Sequence, residues 1–230
     1  SGGPGVQRVL KFTKYLPAHG YRPVVLTVPE TAAFPRLDPT LAAEIPPEAR
    51  VIRSPILELY GLYRASAGVR REEPVNLRTT ARTGGGRRER ALRWLRGAVF
   101  IPDGRMGWLP AGTRAGLRAC REERPALLFA SGPPFTAHWI GRRIAERTGL
   151  PLVLDFRDPW TRAPFYPARP AWARRWDERL ERSCLRRASA VVTVKSAIRD
   201  DFLRRYPELG PERFTVLPNG WDPEDFAGLE

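Results

Sequence analysis

The stretch from Ala126 to Trp160 constrains the fold more than any other part of this chain. It reads as an apolar strand from Leu127 to Ala130, a tight Ser131-Gly132-Pro133-Pro134 turn, and an amphipathic helix stopped at Gly149. A second apolar strand, Leu152 to Leu154, then runs straight into Asp155-Phe156-Arg157-Asp158. A strand, a helix and a strand in that order close most readily as a right-handed crossover between parallel strands. Small and charged residues then fall at the carboxyl ends of both strands, where open parallel sheets hold ligands.

The same grammar recurs on either side. Val6, Val9, Leu10, Thr13 and Leu16 recur at helical spacing, Gly20 stops that helix, and Pro23 to Val28 reads as a buried strand. Pro29 to Arg50 reads as a loop with at most one short helix, followed by a short strand at Val51-Ile52 that ends at Arg53-Ser54-Pro55. Leu57 to Tyr63 starts a helix. Arginine-rich, glycine-interrupted residues 64–90 read as a mobile basic loop. A basic amphipathic helix carrying Leu92, Trp94, Leu95, Ala98 and Val99 follows, fit either to touch anionic lipid or to pack its apolar stripe inward. Ile101 to Trp108 is a rigid turn before a helix from Ala111 to Glu123. Trp172, Trp176, Leu180 and Cys184, four apart, read as a core stripe. Ala190 to Val194 is a strand, Ser196 a helix N-cap, and Phe214 to Leu217 the last strand before Pro218-Asn219-Gly220-Trp221-Asp222. Strands near residues 24, 51, 128, 153, 191 and 215 with helices between them predict an α/β fold with a doubly wound parallel sheet. The chain opens on glycines directly before a helix, so its first strand is expected to be missing.

Composition narrows the chemistry. Basic residues number 39 against 25 acidic ones, a net charge of +14, and only Lys11, Lys14 and Lys195 are lysines. Such a surface suits phosphates or anionic lipid, and equally suits an arginine-rich proteome. Cys120 and Cys184 lack metal-ligand spacing, and His19 and His138 are the only histidines. No P-loop, nucleophile elbow or Ser/His/Asp set is present. No run approaches the roughly 18 apolar residues of a membrane span, so a cytoplasmic protein is expected, with peripheral contact at the inner face of a membrane.

Three places invite chemistry. Gly2, Gly3 and Gly5 before a helix fit either a frayed start or a close approach to phosphate. Ser131 and Gly132 present a hydroxyl and N-H groups at a helix start, or merely turn the chain. Asp155, Arg157 and Asp158 form either a polar platform or an internal ion pair. His138 reads as a packing residue.

Taken in order, GGPGVQR, PDGRMGW, ASGPPFTAHWIG, VLDFRDPW and VLPNGWDPEDF resemble the amino-terminal domain of a family-4 glycosyltransferase with GT-B architecture. The likeness runs from residue 2 to about residue 226. It implies a Rossmann-like domain that binds a sugar or lipid-linked acceptor and faces a second domain that holds a nucleotide-sugar. A hexose is transferred with retention, without metal or other cofactor, in cell-envelope polysaccharide synthesis of a bacterial type. On this likeness Asp155, Arg157 and Asp158 are the catalytic group, while Asp103, Trp108, Ser131, Gly132 and Pro133 line the acceptor side. Gly2 and Gly3 lie against the donor phosphates, and Asn219 and Gly220 mark the linker. Residues 1–217 are then the domain and 218–230 the start of the linker. The donor domain with its paired glutamates lies outside this sequence, so the piece alone is expected to be inactive. The histidine that many relatives carry in the loop 131–134 is replaced. The alternative is a non-enzymatic basic module for an anionic membrane surface or nucleic acid, although no nucleic-acid fold is recognisable. A dehydrogenase is disfavoured by the glycine spacing and because no acidic residue ends the strand near Val28.

Overall fold

The computed structural model describes residues 4–32, 38, 40–58, 94, 97–164, 166 and 169–226. Gly2, Gly3, most of the helix expected at 57–63 and the basic loop expected at 64–90 lie outside the described residues, as do Leu92 and Leu95. In chain order the elements are α1 (Pro4–Tyr15), β1 (Val24–Thr27), α2 (Thr40–Ala43), β2 (Arg50–Arg53), α3 (Leu109–Glu123) and β3 (Leu128–Gly132). Then follow α4 (Thr136–Thr148), β4 (Leu152–Phe156), α5 (Ala171–Arg187), β5 (Ala190–Thr193), α6 (Ser196–Arg205) and β6 (Phe214–Val216). All six expected strands are present and every pairing is parallel.

The strands form two sheets rather than the single one expected, β1-β2 and β3-β4-β5-β6. Both lie on one helical layer: Leu26 of β1 and Leu128 of β3 pack into the same apolar cluster as Trp108, Ile140 and Ile144. The second sheet carries the larger core. Leu152, Leu154 and Phe156 of β4 are fully buried, as expected of a parallel strand covered on both faces. The Phe135 ring stacks on Trp160 at 4.8 Å, and Phe156 meets Phe202 edge-on at 4.8 Å. Each such pair adds about 1 kcal/mol beyond its buried area. β1, expected to be buried, is only half-buried along its whole length. The helix stops at Gly20 and Gly149 are left-handed, with φ of 80° and 75°, which glycine adopts without a Cβ clash.

Two expectations fail for local reasons. Ser196 is the first residue of α6 rather than its cap; Lys195 holds that position, with no side-chain bond. On α5, Leu180 and Cys184 are buried, but Trp172 and Trp176 are 53% and 54% exposed. A row of residues four apart drifts about 40° per step, so Trp172 and Cys184 stand about 120° apart around the helix and cannot share one face. The inward stripe is Ala173, Asp177, Leu180, Glu181 and Cys184. It therefore includes two carboxylates with no solvent access.

Both are fully engaged. Asp177 accepts from Trp160 Nε1 at 2.9 Å and from the Tyr166 hydroxyl at 2.7 Å, with Arg169 Nε at 3.4 Å; burial still pushes its carboxyl up to about 6. Glu181 accepts from the Thr161 N–H at 3.0 Å, the Tyr206 hydroxyl at 2.7 Å and Arg205 at 2.5 Å. The pair thus ties the chain after β4 to the inner face of α5. Removing one partner of a buried ionic network costs about 3–5 kcal/mol. Glu181→Ala is expected to lower stability by about that amount in urea unfolding, while Trp172→Ala stays within about 0.5 kcal/mol of the wild type. Comparable losses would return Trp172 to the core.

Candidate active-site floor

The paired carboxyl ends of β3 and β4 set the site, with Ser131 in register with Asp155 and Gly132 with Phe156. Asp155 interrupts an apolar strand and is completely buried. A carboxylate there requires a cation, and Arg8 of α1 supplies it: Nη2 lies 2.9 Å from Oδ1, and Nε contacts both carboxylate oxygens at 3.2 and 3.1 Å. The Ser131 hydroxyl donates to Oδ2 at 2.7 Å. The remaining donors of Arg8 reach the Leu217 and Pro218 carbonyls and Asn219 Oδ1 at 3.1–3.2 Å. One guanidinium thus joins α1, the sheet floor and the chain leaving β6.

Arg157 is held differently. Its backbone N–H and its Nε both donate to the Gly132 carbonyl, at 3.1 and 3.2 Å, and Nη2 donates to the Pro133 carbonyl. Its guanidinium presses against the first turn of α1, where a Cβ added to Gly5 would fall 1.5 Å from Nη1. A side chain at position 5 would therefore have to displace the Arg157 guanidinium. Burial and the neighbouring Arg8 lower the pKa of Arg157, and Asp155 and Asp158 oppose that. The Asp158 carboxylate is half-exposed and has no hydrogen bond or ion pair among the described residues.

The other expected residues separate into two groups. Ser131, Gly132 and Pro133 border the floor. Asp103 spends both oxygens on capping α4, accepting from the Thr136 N–H and hydroxyl at 2.9 and 2.8 Å, and also from the Arg105 N–H. Trp108 is buried in the core and donates Nε1–H to Ser54 at 2.6 Å. Asn219 is exposed and bound to Arg8, and Gly220 is exposed beside it.

His138 is fully buried between the rings of Phe135, Phe156 and Trp160. Its Nε2–H donates to the Asp155 carbonyl at 3.1 Å, which fixes the tautomer, and Nδ1 has no hydrogen-bond partner among the described residues. Burial pulls its pKa down to about 4.

Sequence reasoning missed Arg8 and also a strap over α1. Lys11 and Lys14, one and two turns beyond Arg8, pair with Asp222 at 2.8 and 3.1 Å, and Tyr15 donates its hydroxyl to the same carboxylate at 2.7 Å. These contacts hold the Asp222 carboxyl well below the usual range. The signal was available: two of the three lysines stand on α1, and an acidic run, Asp222 to Asp225, ends the described chain. Glu44, Asp222 and Asp225 bring their oxygens within 4.8 Å of one another, but Lys11 Nζ sits among all three at 2.5–2.8 Å. The ammonium already meets the charge a metal would meet.

Two outcomes follow from this geometry. Arg8→Ala leaves the Asp155 carboxylate buried and unpaired, and is expected to cost about 3–5 kcal/mol in urea unfolding; Arg8→Lys is expected to recover part of it. For His138 the folded pKa lies below the unfolded value of 6.5, so its contribution to stability is present above pH 6.5 and is lost as pH falls to about 4. The His138 ring resonances are expected to stay unprotonated at pH 5 in the folded chain; titration near 6.5 would refute the burial argument.

Comparison with known proteins gives two matches. The chain is 49% identical over 43 residues to alpha-maltose-1-phosphate synthase of Mycolicibacterium smegmatis, a match that spans 19% of this chain and 11% of that protein. The family model for Glycosyltransferase Family 4 matches residues 65–225, well over half of the chain. A Rossmann-like α/β domain with its polar floor at the ends of β3 and β4, matched over that length, belongs to Glycosyltransferase Family 4.

Proposed function

We propose that this domain is the acceptor side of a retaining, metal-independent transferase that moves a hexose from a nucleotide-sugar to a sugar or lipid-linked acceptor. The observation that carries the proposal is Arg157 against the first turn of α1. A guanidinium beside the positive end of a 12-residue helix is unfavourable on its own, and an anion bridging the two reverses the sign. A leaving nucleoside diphosphate develops charge of that sign as the glycosidic bond breaks. The free N–H groups of α1 and the Arg157 guanidinium stabilise it from this side, while a second domain holds the nucleotide. Gly2 and Gly3 would extend that cradle ahead of α1.

Within the floor the carboxylates have different roles. Asp155 is saturated by Arg8 and Ser131, so it positions. Asp158, with no partner among the described residues, accepts a hydrogen bond from the acceptor and orients it, with Ser131, Gly132 and Pro133 forming the adjoining wall. A phosphate-bearing acceptor suits this arginine-lined surface, and the name of the mycobacterial relative specifies a phosphorylated sugar.

In the enzyme that contains this domain, Asp158→Ala is expected to lower kcat/KM by about 100-fold, close to 3 kcal/mol of transition-state stabilisation, with little change in melting temperature. Parallel losses of activity and melting temperature would make Asp158 a structural residue and remove it from the mechanism.

A further inference from the structure

The outer face of α5 is what the core does not use. Trp172, Arg175, Trp176 and Arg179 fall within about 100° of arc, opposite Ala173, Asp177 and Glu181. Both indoles are more than half exposed and have no ring or cation partner among the described residues. Arg175 and Arg179 have no hydrogen bond or ion pair there either, whereas Arg182 on the same helix pairs with Glu208 at 2.7 Å. The surface continues onto α4 through an open groove of about 360 Å³, where Trp139 and Arg142 face Trp176 and Arg179. Arg114 and Arg118 on α3 are also exposed and unpaired, but that helix has no aromatic residue.

Indole rings and guanidinium groups alternate along this exposed face. Their partner must accept apolar ring bodies and negative charge in a single plane. The interface of an anionic bilayer offers both, with phosphates above the acyl boundary. Single-stranded nucleic acid also stacks on aromatic rings, so it is tested below as the competing occupant. The buried bonds of Asp177 and Glu181 fix the rotation of α5, so the face is formed before any partner arrives. Among the described residues no helix is long and apolar enough to cross a membrane, and contact would lie in the plane of the surface.

We propose that the outer face of α5 docks on an anionic lipid bilayer. The sequence alone had offered for this role the basic helix around Trp94, beside the alternative that its apolar stripe packs inward. The proposal stands whether or not the transferase reading holds, since it uses none of the floor residues.

The test is co-sedimentation of the chain with phosphatidylcholine vesicles containing about one-third phosphatidylglycerol, and with phosphatidylcholine alone, at roughly 0.1 M salt. Binding to the anionic vesicles with a blue shift of tryptophan emission is expected, and much weaker binding to neutral ones. Arg175→Glu/Arg179→Glu is expected to reduce partitioning about tenfold or more. Trp172→Ala/Trp176→Ala is expected to weaken binding and remove most of the blue shift. Melting temperatures should stay at the wild-type value in both variants, because all four side chains lie outside the core. The charge-matched control Arg114→Glu/Arg118→Glu should bind as the wild type does. An equal loss in that control, wild-type binding by both α5 variants, equal binding to neutral vesicles, or binding of a single-stranded oligonucleotide without vesicle binding would each overturn the assignment.

Discussion

The ion pair between Arg8 and Asp155 is the contact on which the site depends. Taking a guanidinium and a carboxylate out of water costs several kcal/mol per ion, and their attraction repays this only when the remaining donors and acceptors are also met. Here they are met. Ser131 serves the carboxylate, and the carbonyls of Leu217 and Pro218 together with Asn219 serve the arginine. A hydrophobic pair of the same volume would fill the space as well, but would not fix which helix lies over the ends of β3 and β4. The charge pair specifies that arrangement, and with it the meeting of α1 with Arg157.

A second buried network serves the other end of the same loop. Asp177 and Glu181 take hydrogen bonds from Trp160, Thr161 and Tyr166, so the chain after β4 is anchored beyond Asp158 as firmly as at Asp155 before it. Between these anchors Arg157 is clasped to two carbonyls, while the Asp158 carboxylate is left without a partner among the described residues. The stretch is held on both sides, and the Asp158 carboxylate is half-exposed.

The elements were legible from the sequence because periodicity is local. All six strands and the main helices lie where apolar spacing put them, to within a few residues at the ends. Partners were not legible. Arg8 and Asp155 are 147 positions apart, and nothing in either neighbourhood marks the other. Asp103 and Trp108 sit in a glycine-rich motif that suggests a ligand loop, yet one caps α4 and the other fills the core, because a buried helix start and a tight turn need such residues for their own sake. The α5 stripe failed for a geometric reason, since a row four residues apart winds around the helix. The division into two sheets left no local sign at all. Ser131, Arg157 and Asp158 were placed correctly at strand ends, but their division of labour rests on contacts that only the fold brings together.

Arg8 holds α1 to the residues that follow β6, and β6 is only three residues long. Tension along the chain leaving β6 would therefore load the arginine as well as the four-stranded sheet. Any displacement of residues 217–219 would strip hydrogen bonds from the guanidinium that neutralises Asp155, and so alter the charge balance of the floor. The electrostatics of the site are in this sense mechanically tethered to the path by which the chain departs.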